Sequence, residues 1–315
     1  MIFALTTRWN AHRHTDGEAL LEEILSMGFR HIELGYDTRL ELIPGIQRMV
    51  ESGAAVVDSL HNFCPVPMGV TRAHPEIYTL ADPDRRVRES AVKHTANTLR
   101  MAAQLGARVV VAHAGNVSMR RGTYKLLEMW DQGKQFTPAY EKARMRLQEE
   151  REKQGRRPFQ DLLRGLEQLL PVLQDTGVRL ALEVLPTWEA LPTELEFEAI
   201  FRQFPGGEIA YWHDIGHAQI RQNLGFINME RWLERLQPHL AGMHLHDVAP
   251  PGRDHVMPPR GHIDFSRYTR FAVGDILRVI EPTTRTPREE IVEALHTLRD
   301  TWLGASSDRI QGEHQ

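Results

Sequence analysis

Short apolar runs in this chain end repeatedly in a side chain that can grip a metal or carry a proton. They read Ser59-Leu60-His61, Val111-Ala112-His113, Ala181-Leu182-Glu183, His213-Asp214-Ile215-Gly216-His217, Met243-His244-Leu245-His246-Asp247 and Val279-Ile280-Glu281. Acidic and imidazole groups are costly inside a protein core unless they are paired or ligated. Their recurrence at the C-terminal ends of successive strand-like runs therefore points to one shared site. An α/β chain collects such residues at one place when it is wound as a (β/α)8 TIM barrel, whose active site lies at the C-terminal mouth.

The order of elements carries the same reading. Short β-branched runs alternate with amphipathic stretches, the pattern of βα units around a parallel sheet. Strands are expected at 2–8, 31–36, 54–61, 108–114, 179–185, 208–214, 240–247 and 275–281. Helices are expected at 40–52, 84–105, 159–175 and 287–302, with Thr15-Asp16 as a cap for the first helix and Gly106 as the stop of the third-strand helix. At 315 residues the chain suits one α/β domain over 1–304 with a flexible tail at 305–315. One segment exceeds a minimal barrel. Residues 116–158 separate the fourth strand from its helix, and their charged run reads as a solvated helix with i,i+4 Glu/Arg pairs. Because this insertion leaves from the C-terminal face, it is a surface excursion or else a lid or dimer arm.

Composition narrows the class. Net charge is −4 and the pI about 6.5, so neither a membrane surface nor nucleic acid is the expected partner, and no basic, aromatic-interleaved stretch alters that. A single cysteine, Cys64, rules out an internal disulfide framework and fits a reducing cytoplasm, and no run is long and apolar enough to span a bilayer. The expected partner is a small molecule, and a homo-oligomer is compatible with the chain. There is no Gly-x-Ser-x-Gly elbow, P-loop or Gly-x-Gly-x-x-Gly after a strand. The five lysines fall in helices or the insertion, where a strand-borne Schiff base could not form.

Glu183 and Glu281 close the fifth and eighth strands, each ahead of a proline-bearing exit, with Asp214 and His244 on strands between them. Three carboxylates and one imidazole suit Mn²⁺, Mg²⁺, Co²⁺ or Fe²⁺ and can accept Zn²⁺. His217 follows Asp214 by three residues, and His61, His113 and His255 come from other loops of the same face. His244 and His246 share a face of their strand; the more deeply seated His244 is the expected ligand. Trp9, Phe63, Trp188 and Trp212 follow or end strands and could wall a sugar-sized pocket or pack in the core. His31 and His94 are expected to be structural, and Cys64 a small buried residue.

These residues resemble the xylose-isomerase-like TIM-barrel superfamily of sugar isomerases, ketose 3-epimerases, inosose dehydratases and endonuclease IV. The resemblance spans nearly the whole chain, anchored by LALE at 180–183, DIGHA at 214–218, MHLHD at 243–247, DHVMPPRGHIDF at 254–265 and RVIEP at 278–282. It implies a divalent metal held by Glu183, Asp214, His244 and Glu281. The stretch from Glu183 to Glu189 resembles the Glu-x5-Glu segment of ketose 3-epimerases, which implies that Glu189 contacts substrate. It also implies that Glu183 and Glu281 act as acid and base on either face of a metal-stabilised enediolate. His217, His246, Arg253, His255, Trp9 and Trp188 complete the expected substrate-binding set. The endonuclease IV pattern implies further metals on His61, His113, His217 and His255. It carries Asp two residues before its last histidine, where this chain has Arg253, with Asp254 adjacent. The leading expectation is an isomerase or epimerase of a sugar or polyol derivative. The alternatives are a metal-dependent phosphoester hydrolase of endonuclease IV type and a dehydratase or lyase acting on a keto-sugar.

Overall fold

A computed structural model describes residues 1–312, with side chains through Gly304. The tail expected at 305–315 falls beyond the residues described in full, and 313–315 lie outside the described residues altogether. Eight strands close into a parallel barrel: β1 (Ala4–Thr6), β2 (His31–Leu34), β3 (Val56–His61), β4 (Val109–Ala112), β5 (Arg179–Glu183), β6 (Ile209–Asp214), β7 (Leu240–Leu245) and the last strand, β10 (Leu277–Ile280). β10 pairs with both β7 and β1 and so seals the cylinder. Helices α1 (Gly17–Leu25), α2 (Ile43–Glu51) and α3 (Arg85–Gln104) follow the first three strands. Asp16 caps α1 by accepting from the Ala19 amide at 3.1 Å.

The barrel interior is filled by small and branched side chains, Ala4, Val109, Val111, Ala181, Ala210, Ala241, Leu277 and Val279, around the single large ring of Trp212. That ring fits because Gly242 faces it. A Cβ there would stand 2.3 Å from the indole, so only glycine lets β7 pass. Trp212 is therefore barrel filling beneath the site, edge-on to the His244 ring at 5.0 Å, and not a pocket wall. Phe63 is likewise buried, packing edge-on to Tyr78 at 5.8 Å. The Cys64 thiol is fully buried, and burial pushes its pKa up.

Two features differ from the sequence expectation. The insertion and the helix expected at 159–175 are not separate: after α4 (Gly122–Asp131), one helix, α5 (Pro138–Thr176), runs through both. Its buried side is a near-continuous stripe of Tyr140, Leu147, Arg151, Gly155, Leu162, Leu166, Leu169 and Leu173. This stripe packs the helix on α3 and α4. Pro158 does not end the helix. It removes the donor to the Gln154 carbonyl, but Gln154 lies on the exposed side. The remaining helices are α6 (Glu194–Gln203), α7 (Ile215–Asn223), α8 (Met229–Leu236) and α9 (Arg288–Gly312). The second difference lies beyond β7, where an antiparallel hairpin of β8 (Asp247–Ala249) and β9 (Arg253–Val256) stands over the mouth. No described helix is long and apolar enough to cross a membrane.

Candidate metal centre

Glu183, Asp214, His244 and Glu281 converge at the C-terminal mouth, each offering a ligand atom within 4.8 Å of the others. Strand geometry aims them. Asp214 ends β6 and caps α7, accepting from the His217 amide at 2.7 Å through Oδ1. Nδ1 of His244 lies 3.1 Å from Glu183 Oε1, 3.4 Å from Glu281 Oε2 and 3.8 Å from Asp214 Oδ2. Glu281 Oε2 is buried and makes no hydrogen bond among the described residues. One imidazole nitrogen facing three carboxylates, with a buried oxygen lacking a donor, is the donor arrangement that a hard divalent cation satisfies.

Burial works against the charges here, and the neighbours outweigh it. His244 is raised well above the usual imidazole range by Glu281, Glu33 and Glu183, in spite of its burial. Glu183 is held well below the carboxylate range, against its own burial, by His244, His113 and His217. His255, close to Glu281 and Asp254, is pushed up to about 10, and His113, between Glu183 and Glu76, to about 9, both against burial. Protons thus supply the compensating positive charge, and a cation would replace them.

The other histidines form two flanking groups. His61 Nε2 and His113 Nε2 approach Glu183 Oε2 at 3.2 and 3.1 Å, so this carboxylate faces the four-ligand centre with one oxygen and the His61–His113 pair with the other. His217, His246 and His255 form the second group. His217 Nδ1 points at the Val184 carbonyl at 3.1 Å. His246 Nδ1 accepts from the His255 amide at 2.9 Å, which leaves Nε2 to donate to Asp214 at 3.0 Å. His246 therefore orients Asp214 from a fully buried position and does not line the cavity. The ring comes this close because residue 216 is glycine, where a Cβ would stand 2.0 Å from His246 Cε1. His255 is held at a φ of 52° at the hairpin, a left-handed conformation uncommon outside glycine, although histidine adopts it more readily than most.

A cavity of about 570 Å³ opens above these groups, lined among others by Arg8, Tyr36, His113, Arg121, His255 and Glu281. That volume lies within the range of small-molecule sites. Besides His246, four expected substrate contacts sit elsewhere or are already engaged. Trp9 is buried and donates to the Thr286 carbonyl at 2.9 Å, outside the cavity lining. Trp188 stacks on Phe226 at 4.6 Å, also outside the lining. Arg253 is exposed on β9, and it is Asp254 that turns inward, 3.7 Å from His217 Nε2 and 3.3 Å from His255 Nδ1. Glu189 reaches the cavity edge, but both its oxygens are taken by Thr123, Oε1 accepting from the amide at 2.9 Å and Oε2 from the hydroxyl.

Glu189 thereby ties the insertion to the β5–α6 loop. The Trp188 amide donates to Thr123 Oγ1 at 2.9 Å and the Val117 amide to the Glu189 carbonyl at 2.8 Å. Arg151 of α5 grips Glu196 with two bonds of 2.6 and 2.7 Å and donates to the Ala190 carbonyl at 3.2 Å. The insertion is thus built into the cavity wall.

Sequence reasoning missed three acidic residues. Asp254 is one. Glu76 is another, 3.6 Å from His113 Nδ1. The third is Glu33 on β2, fully buried, whose carboxylate lies 3.1 Å from His244 Nε2 and accepts from Ser59 Oγ at 2.9 Å. A lone acid in the apolar strand His31-Ile32-Glu33-Leu34 was the available signal. A ligating imidazole is fixed and made more basic by such a carboxylate on its far nitrogen. If His244 ligates a cation, Glu33→Gln is expected to weaken divalent-cation affinity about ten- to a hundredfold while leaving Glu183, Asp214, His244 and Glu281 in place. Competition with a metal-sensitive dye measures this, and an unchanged affinity would remove Glu33 from the account.

The fold defines a class, parallel eightfold barrels, and at the mouth of this one three carboxylates and one imidazole gather that could hold a cation. Residues 21–301 match the family model described as xylose isomerase-like TIM barrel, and the chain belongs to that family. No curated protein matches the sequence. Among solved structures, a D-tagatose 3-epimerase-like protein superposes with a TM-score of 0.68 at 17% identity, covering 98% of this chain and 100% of its own. The 3-keto-D-glucoside 4-epimerase YcjR of E. coli gives 0.64 at 15% identity, covering 95% of this chain and 99% of its own. The IolI protein, with a bound zinc atom, gives 0.64 at 14% identity, covering 98% and 99%. At these identities the likeness is one of fold.

Proposed function

We propose that the chain is a divalent-metal-dependent isomerase or epimerase of a sugar or polyol derivative, with Glu183, Asp214, His244 and Glu281 as the metal ligands. The observation that carries this reading is the pair Glu183 and Glu281, from β5 and the end of β10, meeting with Asp214 and His244 within 4.8 Å beneath a sugar-sized cavity. The epimerases among the structural neighbours support it at the level of general kind. A bound divalent cation would polarise a substrate carbonyl and acidify the adjacent C–H. Glu183 and Glu281 then exchange that proton, one removing it and the other returning it from the opposite side. His217 and His255, which also line the cavity, are placed to orient substrate hydroxyls.

The test is solvent exchange. With its true substrate, drawn from a panel of ketoses, the protein should place deuterium from D₂O on one carbon. Glu281→Gln should keep much of the metal through its amide oxygen and lose that exchange. Turnover of an authentic substrate with no solvent deuterium on carbon would defeat the proposal. One observation favours a second reading, metal-dependent phosphoester hydrolysis. The groups His61–His113–Glu183 and His217–His246–His255 each place three candidate ligands together. Two or three metals per chain by elemental analysis would favour it, and one metal favours proton transfer. A dehydratase or lyase begins with the same proton removal and separates only by its product.

A further inference from the structure

Arg8 stands at the rim of the cavity in an arrangement that neither the metal nor the proton chemistry uses. It follows β1, which pairs with β10 in the register Ala4–Val279 and Leu5–Ile280, so its side chain emerges beside Glu281. Nε donates to the Tyr36 hydroxyl at 2.8 Å, and the guanidinium lies over the Tyr36 ring at 5.6 Å. The group is thus fixed by its inner nitrogen. Nη1 is buried and has no hydrogen-bond partner among the described residues, and its nearest carboxylate oxygen there, Glu281 Oε1, is 3.8 Å away, beyond bonding distance. Arg121, from the insertion, lines the same cavity with no side-chain hydrogen bond among the described residues, packed 5.9 Å from the Tyr124 ring.

We propose that Arg8 is the recognition point for an oxyanion carried by the substrate, a carboxylate or a phosphate, with Arg121 closing on the same group from the insertion. This rests on the sugar isomerase reading and narrows its substrate class to acidic sugar derivatives. A guanidinium held by Nε leaves its outer edge as a planar fork, the geometry that two oxygens of one anion satisfy together. A neutral hydroxyl could take one N–H of that fork and would leave the other unmet. Glu281 does not close the fork, because its Oε2 faces His244 and its Oε1 stops 3.8 Å short of Nη1.

The experiment is calorimetric binding to the manganese-loaded protein of D-fructose, D-fructuronate and D-fructose 6-phosphate, a neutral ketose with its carboxylate and phosphate counterparts. Wild type, Arg8→Gln and Arg8→Lys are compared, with manganese content measured in each. At least one anion should bind about ten- to a hundredfold more tightly than D-fructose, and the preferred one identifies the source of the charge. Arg8→Gln should erase that advantage while leaving D-fructose affinity and manganese content unchanged, and Arg8→Lys should restore part of it. Equal binding of all three ketoses to wild type overturns the inference and leaves the isomerase reading standing. An equal loss for all three in Arg8→Gln, with lowered manganese, also overturns it, since Arg8 would then only prop Glu281. If no ketose binds but inorganic phosphate does so in an Arg8-dependent way, the sugar reading fails and the anion subsite stands. If phosphate fails to bind as well, the subsite falls.

Discussion

Purified protein is expected to hold a divalent cation that the double variant Asp214→Ala/His244→Ala cannot hold. Two of four ligands are removed, and the oxygens of Glu183 and Glu281 that remain lose the nitrogen around which they are arranged. Asp214 also caps α7, so its alanine variant forfeits about 1 kcal/mol of helix stability for a reason unrelated to the metal. Asp214→Asn is the control, since its amide oxygen keeps the cap but carries no charge. Metal content by elemental analysis, with circular dichroism to verify the fold, decides the matter. Full occupancy in the double variant would sink the ligand assignment. The sign of the pH dependence follows from the imidazoles. His244, His113 and His255 have raised pKa values while no cation is bound, so binding should release protons and affinity should fall as pH is lowered.

A second large effect is expected far from these four residues. The Arg151 and Glu196 side chains are 6% and 15% exposed, and Glu196 also accepts from the Thr193 amide at 2.8 Å. Removing one member of a buried, doubly hydrogen-bonded pair strands the other charge, which typically costs about 3–5 kcal/mol. Arg151→Ala should therefore destabilise the fold by about that amount and loosen the β5–α6 loop through the lost bond to Ala190. Arg151→Met/Glu196→Leu, which removes both charges and keeps volume, should cost much less. Urea denaturation of the three proteins measures it. A single variant with a midpoint near wild type would show that the pair contributes little.

Much of the architecture was legible because strand-end chemistry and βα alternation repeat along the chain. Glu183, Asp214, His244 and Glu281 could be ranked together since each ends or nearly ends a strand, and parallel strands deliver their ends to one face. Glu33 escaped because it lies within β2, where its pairing with His244 across the barrel leaves no trace in sequence spacing. Pro158 read as a helix boundary because local sequence does not reveal that the Gln154 carbonyl faces outward. His255 is expected on a loop, and that loop folds into a hairpin, turned at Pro250, Pro251 and Gly252, that presents Asp254 and His255. Trp9 and Trp188 follow strands as expected, but residue position alone cannot say which way a side chain leans, and both lean into packing.

The closing of β10 between β7 and β1 has a consequence for biosynthesis. Glu281 directly follows that strand, so a nascent chain released only as far as β9 carries three of the four proposed ligands on a sheet with an unsealed edge. On the proposed ligand assignment, capture by all four residues would wait for the cylinder to shut. Once captured, the ion would tie the final segment to β5, β6 and β7, and the seam that forms last would become harder to reopen.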